Sequence, residues 1–107
     1  MDYPEQQAEY DWLVVRWRNF RERSFPEGWA GVEVAGITLA LLDADLAASV
    51  SSYVERRRRW HPRGVEGLRR LHDDLRLVLP SLTGEAADYF TEWDGLVATT
   101  LRLLEEG

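Results

Sequence analysis

Three clusters of helix-breaking residues, Ser24-Phe25-Pro26-Glu27-Gly28, His61-Pro62-Arg63-Gly64 and Leu79-Pro80-Ser81-Leu82-Thr83-Gly84, divide this chain. The segments between them carry apolar residues at helical spacing, which limits the chain to a packing of short amphipathic helices. The first segment starts well at Pro4, since proline suits a first helical turn, and its pattern runs to about Arg23. At about 100° per residue, Tyr10, Leu13, Val14, Trp17 and Phe20 fall on one stripe, the expected core face. Ala8, Trp12 and Val15 gather beside Asn19 on the opposite side, a second and smaller apolar face.

The second segment opens differently. Val32-Glu33-Val34 and Ile37-Thr38-Leu39 flank Ala35-Gly36, an alternating, β-branched pattern around a glycine turn that predicts a small hairpin. A helix is expected directly after it, with Asp43 as N-cap, Asp45 in the first turn, and Leu46, Val50, Tyr53 and Val54 on one face as far as Arg59. A third helix is expected from about Val65 to Leu79, with Leu68, Leu71, Leu75, Val78 and Leu79 aligned. The fourth follows Thr83 and presents Tyr89, Phe90, Trp93, Leu96, Val97, Thr100, Leu101 and Leu104, with Gly95 marking a bend or a close helix crossing. The expected fold is therefore mostly α: one compact four-helix domain over residues 1–107, with a small β-hairpin between helices 1 and 2.

Composition agrees with an ordered chain. At 45% hydrophobic and 30% charged, 107 residues suffice for one core, with roughly two thirds of the unfolded surface buried. Cysteine is absent, which removes disulfides, thiolate nucleophiles and sulfur-ligated zinc. All thirteen basic residues are arginine, so Schiff-base lysines and a Walker-type phosphate lysine are excluded; together with abundant alanine, glycine and leucine, this is the usage of a GC-rich bacterial genome. No signal peptide is visible in Met1–Gln7, and the longest apolar run, Val34 to Leu42, is far short of the roughly 20 residues that cross a bilayer. A cytoplasmic protein that does not bind membranes is the expectation.

The chemical motifs are few. Ile37-Thr38-Leu39-Ala40-Leu41-Leu42-Asp43-Ala44-Asp45 resembles the first motif of the haloacid-dehalogenase-like phosphotransferases, an apolar run ending in two aspartates one residue apart. The likeness spans nine residues and stops: no threonine follows at the expected place, no lysine exists, and the chain is too short for that family's doubly wound domain. A helix cap explains the same residues. His72 sits at the edge of the third helix's stripe, with Asp74 about 160° away, so the two do not share a metal within that helix. Glu85, Asp88, Glu92 and Asp94 fall off the fourth stripe and read as a solvated face. Ser49, Ser51 and Ser52 lack a nucleophile-elbow context. No catalytic, cofactor or metal residues are assigned.

Two features point to binding. One is the arginine corner, Arg56, Arg57, Arg58, Arg59, Trp60 and Arg63, with Arg69 and Arg70 beyond it. Arginines beside an aromatic can clamp phosphates and stack a base, which suggests a nucleic-acid-binding regulator, or an enzyme on a phosphorylated small molecule. Four consecutive helical residues, however, fan over about 300°, cations suit a helix C-terminus, and the net charge of -6 repels polyanions. An acidic protein partner, or the acidic N-terminal turn and Glu105-Glu106 tail of a second copy, suits the corner better. The other feature is tryptophan, five in so small a chain. Trp17 and Trp93 lie on core stripes, Trp29 and Trp60 sit in connections as lids, and Trp12, with Val15, is left over. The reading is a non-enzymatic interaction module of adaptor, antitoxin or toxin-neutralising type, binding a protein or itself, with nucleic acid as the alternative.

Overall fold

In the computed structural model, which describes residues 3–56 and 62–106, the four amphipathic segments form four helices: α1 (Tyr3–Phe20), α2 (Leu39–Glu55), α3 (Pro62–Val78) and α4 (Gly84–Glu106). A hairpin of β1 (Glu33–Val34) and β2 (Ile37–Thr38) joins α1 to α2, and a single 3₁₀ turn, Leu79–Ser81, joins α3 to α4. The hairpin register pairs Glu33 with Thr38 and Val34 with Ile37, as the alternation requires. Both turn residues have positive φ, 52° at Ala35 and 81° at Gly36, the left-handed sense that matches strand twist in a two-residue hairpin.

Contacts between named residues fix the helix directions. Glu9 meets Arg102, Arg16 meets Glu92 and Phe20 stacks on Tyr89, so α1 descends as α4 rises. Arg69 meets Glu105 and Arg76 meets Asp94, which sets α3 antiparallel to α4 as well. Tyr10, near the middle of α1, donates to the Val54 carbonyl at the end of α2, 2.7 Å away. The result is an up-down-up-down bundle in which α4 packs against each of the other three helices. Its longest extent, 42 Å, is close to the roughly 35 Å of a 23-residue helix.

The expected core faces are the observed ones. Leu13, Trp17 and Phe20 of α1, Leu68, Leu75 and Val78 of α3, and Tyr89, Phe90, Trp93, Leu96, Val97, Thr100 and Leu101 of α4 are buried together. Tyr10, Val14 and Leu71 are half-buried at the edges. On α4, Thr99 and Leu103 are buried although they lie off the expected stripe, and Leu104, expected on it, is half-buried, because three partner helices close around α4 more widely than one stripe. Thr100 satisfies its buried hydroxyl by donating to the Leu96 carbonyl, 2.8 Å away.

Several boundaries differ from expectation. Helix 1 stops at Phe20, with residues 21–23 in a turn. Helix 2 starts at Leu39 with Thr38 as N-cap, so Asp43 is not a cap and Asp45 is not in the first turn. Leu39 and Leu42 continue the spacing of Leu46, Val50 and Tyr53, and burying all five on one face drives the helix back to the strand end. The helix ends at Glu55 rather than Arg59, with the Arg56 amide donating to the Ser52 carbonyl; residues 57–61 lie outside the described part. Helix 3 begins three residues early, at Pro62, a favourable first-turn position. Gly95 marks no close crossing: it is exposed, and a side chain there would meet nothing within 4 Å.

Candidate functional site

The face of α1 opposite its core stripe is uncovered. Ala8, Trp12, Val15 and Asn19 are all exposed, Trp12 by 44% and Val15 by 55%. The hairpin does not reach this face. It packs instead on α2, where the Leu39 amide donates to the Val32 carbonyl and Val34 and Ile37 lean on the core. Trp12 and Val15 are neighbours one turn apart on the helix surface. Leu41 and Leu77 are also exposed, but each stands on a different helix, and single exposed apolar residues are ordinary.

Trp12 is contacted by Arg16 of its own helix. The Arg16 guanidinium lies 5.0 Å from the centre of its ring while its Nε donates to Glu92 Oε2 of α4 at 2.9 Å. One arginine thus contacts the indole and ties α1 to α4. About two turns toward the N-terminus from Arg16, Arg102 of α4 donates to Glu9 at 2.8 Å, so the α4-facing edge of α1 is closed by two ion pairs. Glu92 therefore does not belong to a freely solvated face, and neither does Asp94, whose Oδ1 meets His72 Nε2 at 2.8 Å with Arg76 Nε at 3.9 Å. Their places beside the apolar stripe put them within reach of neighbouring helices, which periodicity along one helix does not reveal.

Arg56 and Arg63 flank the junction between α2 and α3, at the end of the bundle toward which the first half of α1 points, as the Tyr10 to Val54 hydrogen bond shows. Arg56 and Arg63 are exposed there. Arg57, Arg58, Arg59 and Trp60 lie outside the described residues. Arg69 is paired with Glu105 at 2.9 Å, so the chain's own acidic end neutralises part of the corner. Trp29 is half-buried against the core and Trp17 and Trp93 are buried in it, their ring centres 5.6 Å apart.

Asp43, expected at a helix start, instead lies half-buried at the edge of the core and ties α2 to α4. Its Oδ1 accepts from Tyr89 Oη and from Trp93 Nε1, each at 2.7 Å. Burial raises the Tyr89 phenol well above its usual value, and the bond to Asp43 and that carboxylate's charge push it further. Arg23, 5.5 Å from the Tyr89 ring centre, opposes this. At neutral pH Tyr89 is a hydrogen-bond donor and not a base. Elsewhere Ser51 donates to Glu55 and His72 pairs with Asp94. Among the described residues no three His, Asp or Glu side chains gather closely enough to hold a metal ion, and no helix is long and apolar enough to cross a membrane. Comparison with protein-family models, with curated proteins and with solved structures finds no match.

Proposed function

We propose that this protein is a small non-enzymatic interaction module, of the adaptor or toxin-neutralising kind, that binds a protein partner or itself through the Ala8–Trp12–Val15 face of α1. The observation that carries the reading is Trp12: a large indole, 44% exposed, next to an exposed valine, with the Arg16 guanidinium 5.0 Å from its ring centre. Exposed tryptophans of this kind dominate interface energetics. The arginine corner has the subordinate role of steering an acidic partner into register. Its internal pairing through Arg69 and Glu105, and the net charge of -6, weigh against a polyanion as the principal ligand.

The test compares wild type with Trp12→Ala in two measurements. Association should weaken by about 2 kcal/mol or more, as read by capture of binding proteins from the native host. Folding stability should change by no more than about 0.5 kcal/mol, because the side chain is at the surface. A variant that melts well below the wild type but keeps every bound protein would show Trp12 to be a structural residue and end this reading. Recovery of nucleic acid in place of protein would transfer the function to the arginine corner.

A further inference from the structure

We infer that the occupant of the α1 face is a second copy of the same chain, its α1 running antiparallel about a two-fold axis near Val14. This rests on the interaction reading above and names the partner. Charge along α1 is segregated, with Glu5, Glu9 and Asp11 in its first half and Arg16 and Arg18 in its second. An antiparallel copy lays each half against its opposite.

The two edges of the apolar seam are not equivalent. Glu9 and Arg16 form the edge toward α4 and are already engaged there, with Arg102 and Glu92. Asp11 and Arg18 form the other edge, seven residues or about two turns apart and so in line along the helix. Both are exposed. Asp11 takes an amide from Gln7 of its own helix at 3.0 Å, and Arg18 has no ion-pair partner among the described residues. In antiparallel pairs of helices, residues on the same edge of the two seams face each other. Asp11 of each copy then meets Arg18 of the other, which gives two ion pairs from one symmetry operation.

The seam itself is complementary under the same operation. The broad Trp12 ring lies over Val15 of the second copy, and Ala8 leaves room opposite Asn19. A parallel pairing would instead turn the open edge of one copy toward the engaged Glu9 and Arg16 of the other, and the match would be lost. Because the apolar part is only three residues long, the dimer is weak and concentration-dependent.

Sedimentation velocity on the full chain, from low micromolar to near-millimolar protein, tests this directly. Wild type should move from monomer toward dimer, and Trp12→Ala, which removes an anchor of about 2 kcal/mol from each of the two copies, should shift that transition on the order of 1000-fold in concentration and so stay monomeric over this range. Asp11→Arg alone and Arg18→Asp alone should each stay monomeric. An equal mixture of the two should dimerise, since each then carries the charges the other lacks. Melting curves of the separate variants confirm that they are folded. Wild type that is monomeric throughout, a dimer indifferent to Trp12, or a mixture no more associated than its components would each overturn the second copy as occupant. If wild type is monomeric but Trp12 still governs capture of a foreign protein, the interaction reading survives without self-association; if capture fails too, both are wrong.

Discussion

The half-buried Asp43 carboxylate on α2 and the buried Trp93 indole on α4 are joined by a 2.7 Å hydrogen bond, and the same oxygen accepts from Tyr89. Trp93 is 1% exposed, so its N–H has no ready recourse to water if the acceptor is lost. Asp43→Leu leaves two interior donors unpaired and should destabilise the fold by about 2 to 4 kcal/mol. Asp43→Asn keeps an acceptor oxygen and should cost about 1 kcal/mol. Chemical denaturation of the three proteins decides it, and a leucine variant as stable as wild type would show the cluster to be energetically idle.

The same cluster makes stability fall at high pH. Tyrosine ordinarily loses its proton near pH 10, whereas in the fold burial and Asp43 hold the Tyr89 proton to higher pH. The unfolded chain therefore gives up this proton first. The stability linked to Tyr89 is fully present below about pH 10 and declines as pH rises above it. Thermal unfolding of wild type from pH 8 to 11 should fall more steeply at the alkaline end than that of Tyr89→Phe, which has no proton to lose. Parallel curves would refute the assignment.

How far the sequence revealed these features depended on whether local spacing or three-dimensional meeting decides them. The helices and the hairpin were legible, because Leu13, Trp17 and Phe20 at helical intervals, and Val34 and Ile37 about an Ala-Gly turn, have to face one way for purely local reasons. So was the exposure of Trp12, about 140° around the helix from Trp17. The place of Asp43 was not legible: an acid after an apolar run looks like a cap, and its donors Tyr89 and Trp93 lie 46 and 50 residues further on. Glu92 and Asp94 were misread for the same reason, since their partners Arg16 and His72 belong to other helices. Nor does the sequence show that Arg16 meets both Trp12 and Glu92 at once.

Gly95 offers a route to a more stable protein. It sits within α4, exposed, where an added Cβ would touch nothing within 4 Å. Glycine in a helix interior costs roughly 0.5 to 1 kcal/mol relative to alanine through the entropy of the unfolded chain. Gly95→Ala should recover that amount and raise the melting temperature. A lower melting temperature would mean that the backbone at this position needs a freedom the open surroundings do not suggest.

The arginine corner yields the last prediction, because its composition alone suggests a polyanion site while its surroundings argue otherwise. Electrostatic binding to DNA or RNA grows with the number of phosphates neutralised and weakens steeply with salt. Here the potential of the corner is reduced twice, by the net charge of -6 on the whole chain and by the pairing of Arg69 with Glu105 at 2.9 Å. At physiological ionic strength the Debye length is about 8 Å, so surface charges further apart than this do not reinforce one another on a polyanion. Binding to DNA or RNA at that salt should therefore be weak, and replacing Arg56, Arg57, Arg58 and Arg59 together by alanine should change it little. The assay is electrophoretic mobility shift on single- and double-stranded probes across a salt series. Tight wild-type binding that collapses with salt and disappears in the quadruple variant would make the corner, and not the Trp12 face, the functional surface of the protein.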